Sequence, residues 1–430
     1  MTTAALLLIL AAPPDAKTFR EDMAFALDAL ERECERLIDA KGIPWGKVRR
    51  DFSKEARRVR TVEEHWVLLV RLVARLRDGH AGVLTTDATR DLKWPREGLD
   101  RGPGLCWFTA GGKVYVKQRW GDAEGAGITA GMEVVKVEGK PAAKWLDARV
   151  EELADLCSFS TDQGALYFAC HWGLGGPEGS RLQLELRHPL TKKTKKATLG
   201  RTSRGLAPAG PVVFPEGLQR VGRNSYGKLP SGFAYIHLRD VPSSLPDDLD
   251  TMLAAVGDAK GLVLDCRANG GGGCDHDAVF GRFVPTGHTL TFGKKYESRG
   301  ATPYAGPVVV IVDAGVRSAG ETVSGMLKED GRAYLIGPEP TAGMSSSKKT
   351  IDLPSGLFRL YVSVASNKGR FNGDKGIEGL GIPPHEVVPY DPEEIAKGID
   401  TQIRRAEELL EKGFPRNAVP YKPERYGWGK

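Results

Sequence analysis

The chain has 430 residues, 41% hydrophobic and 27% charged, a balance that fits a folded protein of several domains and excludes a disordered or fibrous one. Its formal charge of +6 is small for this length, and the basic residues are dispersed apart from Lys192 to Lys196, so no nucleic-acid footprint is present. No apolar run approaches the ~20 residues that an integral membrane helix needs.

Residues 1–16 open the chain with the apolar stretch Ala4 to Ala12, followed by Pro13-Pro14-Asp15. That is the shape of the apolar region and exit of a secretory signal, although no Lys or Arg precedes it; a plain apolar tail is the alternative. Export to the periplasm or the outside is the expectation. The cysteine count is even (Cys34, Cys106, Cys157, Cys170, Cys266, Cys274), which fits an oxidising compartment. Cys157 and Cys170 read equally well as core residues or as a pair.

Residues 17–95 read as a helical region. Phe19, Met23, Leu27, Leu30, Cys34 and Leu37 recur at three- and four-residue steps, the mark of one apolar stripe. Gly42-Ile43-Pro44-Trp45 breaks it, and a second face follows in Leu68, Leu69, Leu72, Val73 and Leu76. Arg77-Asp78-Gly79-His80 reads as the helix stop, which places His80 on a rigid exit. Residues 100–203 read as a small, mostly β module, with alternation over Val114 to Lys117 and over Leu182, Leu184 and Leu186. Lys192 to Lys196 falls between two of its strands, as a solvated hairpin would. Residues 204–230, rich in Pro and Gly, read as a linker.

Residues 231–412 alternate strands and helices. Phe233 to Leu238, Gly261 to Asp265 and Val308 to Val312 are short apolar runs of strands buried on both faces, and they point to an α/β core with a largely parallel sheet. The helix Pro392 to Lys412 closes this region, and 413–430 is a tail.

Three stretches of this pattern carry chemistry. Asn269-Gly270-Gly271-Gly272-Gly273 follows a buried strand, where glycines turn the backbone and present N–H groups to a ligand. A flexible turn or a phosphate loop would look similar, but no Gly-Lys-Ser/Thr follows. Ser318 stands between a buried strand and the helix opened by Ala319-Gly320-Glu321. It either caps that helix or acts as a nucleophile whose oxyanion faces the Ala319 N–H. His80 is either structural or the general base. Cys274-Asp275-His276-Asp277 contains metal-ligand types at a spacing that fits no zinc pattern, so neither metal nor cofactor is expected, and Asp275 suits a helix cap.

LVLDCRANGGGG, VVVIVDAGVRSAGE, AYLIGPEPTAG and GIEGLGIPPHEVV resemble the successive core motifs of the tail-specific (C-terminal processing) serine proteases and the related tricorn core protease. ARLRDGHAGV is similar to a segment of their N-terminal helical part, and AGITAGMEVVKVEGKP resembles the second half of a PDZ domain. The resemblance spans most of residues 18 to 400 in the family's order. It implies a multi-domain α/β fold: a core like those of crotonase and the Clp protease, an N-terminal helical part and an inserted PDZ-like β domain.

The resemblance implies Ser318 as nucleophile, and Gly271 and Ala319 N–H groups as the oxyanion hole. The processing proteases place a lysine base just after the TxG motif. Here Thr341-Ala342-Gly343 is followed by Met344, with Lys348 and Lys349 a few residues on. The tricorn branch uses a histidine at the position of His80 and a glutamate where Glu378 stands. Two departures are Gly79, where tricorn has serine, and His385, where the family has aspartate. The implied function is a serine endopeptidase acting on protein or peptide substrates. Strand addition to the PDZ-like module is the implied mode of recognition, with Gly104-Leu105-Cys106-Trp107 as carboxylate-binding loop or as a plain hairpin. A catalytically silent relative that binds peptides or apolar ligands, as interphotoreceptor retinoid-binding protein does, is the alternative.

Overall fold

The computed structural model describes residues 15–93, 101–203, 210–287, 289–291, 295–329, 331–367 and 371–415. The Ala4 to Ala12 stretch behind the export expectation lies outside the described residues, as does most of the tail. No described helix is long and apolar enough to cross a membrane.

Seven strands form the central sheet, in the spatial order Glu386–Val387, Tyr334–Gly337, Val308–Ile311, Leu262–Asp265, Ala234–His237, Asn224–Lys228 and Gln219–Val221. The first five pair in parallel and the last two add antiparallel. Alternate residues of the parallel strands serve opposite faces, which is why these runs are apolar throughout. Ile236, Leu264 and Val310 pack beneath the helices Leu245–Val256 and Ala319–Glu329. Tyr235, Val263, Val309 and Ile311 pack against Ile403, Ala406 and Leu409 of the helix Thr401–Lys412. Residues 219–228, within the stretch expected as linker, thus belong to this sheet.

The glycine loop leaves the sheet directly behind a buried ionic cluster. The Arg267 guanidinium donates to Asp265 Oδ2 at 2.6 Å and to both oxygens of Asp400 at 3.0 Å, and all three side chains are inaccessible or nearly so. Asp400 is also the cap of the last helix, so the end of Leu262–Asp265 is tied to that helix. Removing one partner of such a cluster costs about 3–5 kcal/mol, because an uncompensated charge stays buried.

The helices Ala16–Ala40, Trp45–Glu55 and Val62–Ala74 form the N-terminal region. Phe19, Leu30 and Leu69 share one core with Phe358, Leu360 and Val362. Those last three lie on Phe358–Ser366, which pairs antiparallel with Gly82–Thr85 on one side and Ser346–Asp352 on the other. The third helix stops at Ala74, earlier than the Gly79 signal suggested. The positive φ that turns the chain belongs to Arg77 (50°), and Asp78 is then pinned by Ser363 N–H (2.7 Å) and Oγ–H (2.9 Å).

The module between these regions is an antiparallel sheet, Leu105–Ala110, Lys113–Arg119, Glu133–Val137, Arg181–Arg187 and Thr194–Gly200 in spatial order. The helices Ala142–Leu156 and Asp162–His171 complete its core. It meets the central domain through buried Lys117, whose Nζ lies 3.7 Å from Asp313 Oδ2. Five of the six cysteines are buried, and Cys157 and Cys170 are core residues of the module.

Candidate active site

The strand Val308–Ile311 delivers Ser318 to the start of the helix Ala319–Glu329 in a conformation that serine disfavours, φ +55°. Its Oγ makes no hydrogen bond among the described residues, so this serine is not a cap. The turn is held by Glu321, whose buried carboxylate accepts from Thr341 Oγ1 (2.6 Å), Gly343 N–H (2.7 Å), Met344 N–H (2.8 Å) and Ser318 N–H (3.1 Å). Burial pushes that carboxyl up to about 8, against the hydrogen bonds from Thr341, Gly343 and Met344 that favour its charged form. Ser318 N–H also reaches Met344 O at 3.0 Å. The acidic residue of the SAGE motif therefore joins the serine turn to the Thr341–Met344 loop.

Met344 in turn links Ser318 to His80. A side-chain carbon at Gly79 would collide with Met344 Cγ and Sδ, so a larger residue before the histidine would have to displace the Met344 side chain. Gly79, one of the departures from the expected motifs, and Met344, which stands just after the Thr341-Ala342-Gly343 motif, are complementary in space. His80 N–H donates to Asp78 Oδ1 at 2.9 Å. Burial pushes its imidazole down, Lys348 and Arg317 add to this and Asp78 opposes it, which leaves a neutral ring able to accept a proton at neutral pH. No hydrogen bond joins it to Ser318 Oγ.

Glu378 lies beside the same ring: one ligand atom each of Asp78, His80 and Glu378 fall within 4.8 Å of one another. Glu378 Oε1 accepts from Lys41 Nζ and from Ser160 Oγ, both at 2.8 Å. Its Oε2 and His80 Nδ1 are both buried without a partner. Burial pushes the Glu378 carboxyl up, and the Lys41 ammonium works against that shift. The trio is a poor cation site, because both Asp78 oxygens are occupied and an ammonium already sits on Glu378.

Gly271 stands against Ser318: a Cβ there would lie 2.8 Å from both Ser318 Cβ and Arg317 O, and its φ of +82° suits only glycine. Its N–H donates to Asn269 Oδ1 at 2.8 Å. Ala319, first in its helix, has no intrahelical acceptor for its N–H, and no described residue accepts from it. Asp313 Oδ1 receives Ala268 N–H (2.8 Å) and Gly315 N–H (2.9 Å), fixing the glycine loop against the serine loop. A cavity of about 190 Å³ opens beside these groups, bounded by Gly79, Gly315, Arg317, Phe159, Trp172 and Met344.

The other predicted residues lie apart. Lys349 is exposed and bonded to Glu33 at 2.7 Å, while exposed Lys348 acts on His80 only through its charge. Leu105, Cys106 and Trp107 are buried strand residues paired with Lys113–Arg119, not an open loop, and Gly104 turns the chain into that strand. Of the four, only Trp107 lines the cavity of about 180 Å³ between module and core, along with Lys117, Tyr167 and Tyr390. Asp275 caps the helix His276–Gly281 through Asp277 and Ala278 N–H. His385 accepts Leu335 N–H at 2.9 Å through Nδ1 and stacks on Tyr334, a structural role.

Residues 232–388, which hold the five parallel strands, the glycine loop, Ser318 and Glu378, match the model of peptidase family S41. The chain is a serine-type peptidase, and the S41 match covers its core region. It is 25% identical over 362 residues to the carboxyl-terminal-processing protease of Picosynechococcus sp., covering 81% of this chain and 78% of that protein. The carboxyl-terminal-processing protease of Synechocystis sp. is 23% identical over 444 residues, covering 97% and 95% of the two chains. The fold is also that of mature CPAF (TM-score 0.67, 13% identity), over 94% of this chain and 99% of that one.

Several polar groups of the peptidase escaped the motif reading. Lys41 ends the first helix, 337 positions before Glu378. Ser158, Ser160 and Thr161 lie between two module helices, where hydroxyls read as ordinary caps, and Gln163 lies in the first turn of the second. Thr161 is indeed a cap, accepting Gly164 N–H at 3.2 Å. Nothing in the spacing of these residues announces what lies across the fold from them.

Proposed function

We propose that the peptidase hydrolyses peptide bonds of protein or peptide substrates through an acyl-enzyme on Ser318, with His80 as general base and Glu378 as the group that orients it. Ser318 Oγ attacks the scissile carbonyl carbon while a ring nitrogen of His80 takes the hydroxyl proton. The C–N bond then breaks as the imidazolium returns that proton to the leaving amine. Water, deprotonated by the same imidazole, attacks the ester, releasing the acid and regenerating the hydroxyl. The carrying observation is the pair of buried, unpartnered atoms His80 Nδ1 and Glu378 Oε2 on adjacent side chains. An imidazolium formed at His80 would satisfy both at once.

The oxyanion is assigned to the Ala319 and Gly271 N–H groups. Gly271 N–H must leave Asn269 for it, an exchange in the right direction, since an oxyanion is a stronger acceptor than an amide oxygen. The base is histidine because Lys349 is held by Glu33 and Lys348 is exposed, whereas a lysine base has to be desolvated. The aromatic walls of the adjoining cavity suit an apolar substrate side chain. Substrate recognition near a carboxyl terminus follows the names of the two cyanobacterial relatives.

A fluorophosphonate probe should label the wild type, with labelling abolished in Ser318→Ala and slowed about 10³-fold or more in His80→Ala. Wild-type-like labelling of His80→Ala would remove the histidine from the mechanism.

A further inference from the structure

One short stretch of the inserted module, Ser158 to Gln163, is hydrogen-bonded to three segments around the site: the chain before His80, the Thr341–Met344 loop and the loop of Glu378. Ser158 Oγ accepts Asp78 N–H at 2.8 Å. Ser160 Oγ accepts Gly79 N–H at 2.8 Å and donates its own proton to Glu378 Oε1 at 2.8 Å. Thr161 Oγ1 donates to Ala342 O at 2.8 Å. Gln163 Nε2 donates to Thr341 O at 3.1 Å and to Leu380 O at 3.3 Å. These bonds tie together the chain before His80, the loop that follows Ser318 in space and the loop of Glu378.

We propose that Ser160 is a positioning residue of the His80–Glu378 pair, so that the inserted module completes the catalytic relay rather than only presenting substrate. Among the described residues, its hydroxyl is the one that bonds both the backbone N–H next to His80 and the carboxylate of Glu378. Lys41 is the second donor to Oε1 and is itself anchored on Arg77 O at 2.6 Å. Two donors on one oxygen stop the carboxylate from rotating, which leaves Oε2 bare and beside the imidazole. Gly79 cannot supply a hydroxyl, because Met344 fills the space its side chain would need. Ser160 brings one from elsewhere in the fold. The charged groups around the ring are Asp78 and Glu378, with Lys348 from the strand Ser346–Asp352 and Arg317 from the serine loop.

The inference rests on the function proposed above, so the test reads the pair in two ways. With the full-length protein, the rate of labelling by a fluorophosphonate probe is measured from pH 5 to 9 for wild type, Ser160→Ala and Ser160→Thr. Separately, the His80 imidazole is titrated by NMR in Ser318→Ala, with and without Ser160→Ala. Ser160→Ala should slow labelling about 10–100-fold, the range seen when an outer hydrogen-bond partner is lost. It should also move the acid limb and the imidazole titration down by about half a unit or more, since a poorly aimed carboxylate stabilises the imidazolium less. Ser160→Thr, which keeps the hydroxyl, should restore most of the rate. If Ser160→Ala lowers thermal stability yet leaves both the imidazole titration and the acid limb in place, Ser160 is only a fastener and the proposal is wrong. The titration needs no turnover: an unlabelled wild type would overturn the proposed function, whereas an unmoved titration overturns this inference alone.

Discussion

The two sides of the proposed active site are built by opposite rules. On the serine side, one buried carboxylate, Glu321, receives four donors and leaves neither oxygen free. On the histidine side, one Glu378 oxygen accepts two hydrogen bonds and the other is bare, beside a ring with its own bare nitrogen. Buried polar groups are seldom left unpaired, because each costs about 1–3 kcal/mol. Saturation on the first side holds a strained residue still. Vacancy on the second is useful only if a charge arrives to fill it, as it would in the proposed mechanism when the imidazole takes up the serine proton. On that proposal a rigid nucleophile is paired with a base whose surroundings improve during the reaction.

Glu321→Gln should break the saturated side most severely. The amide group must point its hydrogens at N–H or O–H donors whichever way it is turned, leaving at least one of Ser318, Gly343 and Met344 without an acceptor. The expected cost is about 2–4 kcal/mol in urea unfolding, with loss of probe labelling. The pH dependence carries a sign. In the folded state burial holds the Glu321 proton up to about 8, whereas a free glutamate releases it near 4.5. Between those values the folded chain binds the extra proton, so this group's contribution to stability falls as pH rises. The gap between wild type and Glu321→Gln should therefore narrow from pH 5 to pH 8. A gap that widened would mean that the four donors outweigh burial.

Ser318→Gly sharpens the comparison by releasing the strain alone. A non-glycine residue at φ +55° stores on the order of 1 kcal/mol, and glycine adopts that conformation freely. The variant should gain up to about 1 kcal/mol in denaturant midpoint at an unchanged m-value, while Ser318→Ala gains nothing. Equal stability of the two variants would show that the turn is not strained.

The same contrast divides what the sequence reveals from what it hides. The serine side is legible because it is local. A buried apolar strand, a tight turn and a helix start adjoin along the chain, and glycines at 271 and 320 mark where backbones crowd. The parallel sheet is legible for the same reason, since burial on both faces leaves unbroken apolar runs. Residues 219–228 resist such reading, as short antiparallel edge strands among Pro and Gly look like a linker. So does the histidine side, where Lys41, Ser160 and Glu378 meet from three distant segments. Only the tertiary fold sets such contacts, and no local periodicity records them. The replacement of the residue before His80 by glycine reads as a defect until Met344 is seen against it.

The smallest effect separates two neighbouring lysines. Lys348 and Lys349 point to opposite sides of the strand Ser346–Asp352, as alternation requires. Lys349 is spent on Glu33 of the first helix, whereas Lys348 holds the His80 imidazole down through its charge. Removing Lys348 takes away a repulsion that disfavours the imidazolium, so the ring's pKa should rise and the acid limb of probe labelling should move to higher pH. Because the ammonium is exposed, the shift should be a few tenths of a unit at low salt and fade towards 1 M, where the screening length is ~3 Å. Lys349→Ala should leave the limb in place. If instead Lys348→Ala abolished labelling at every pH, the lysine would be the base, and the vacancy beside Glu378 would need another explanation.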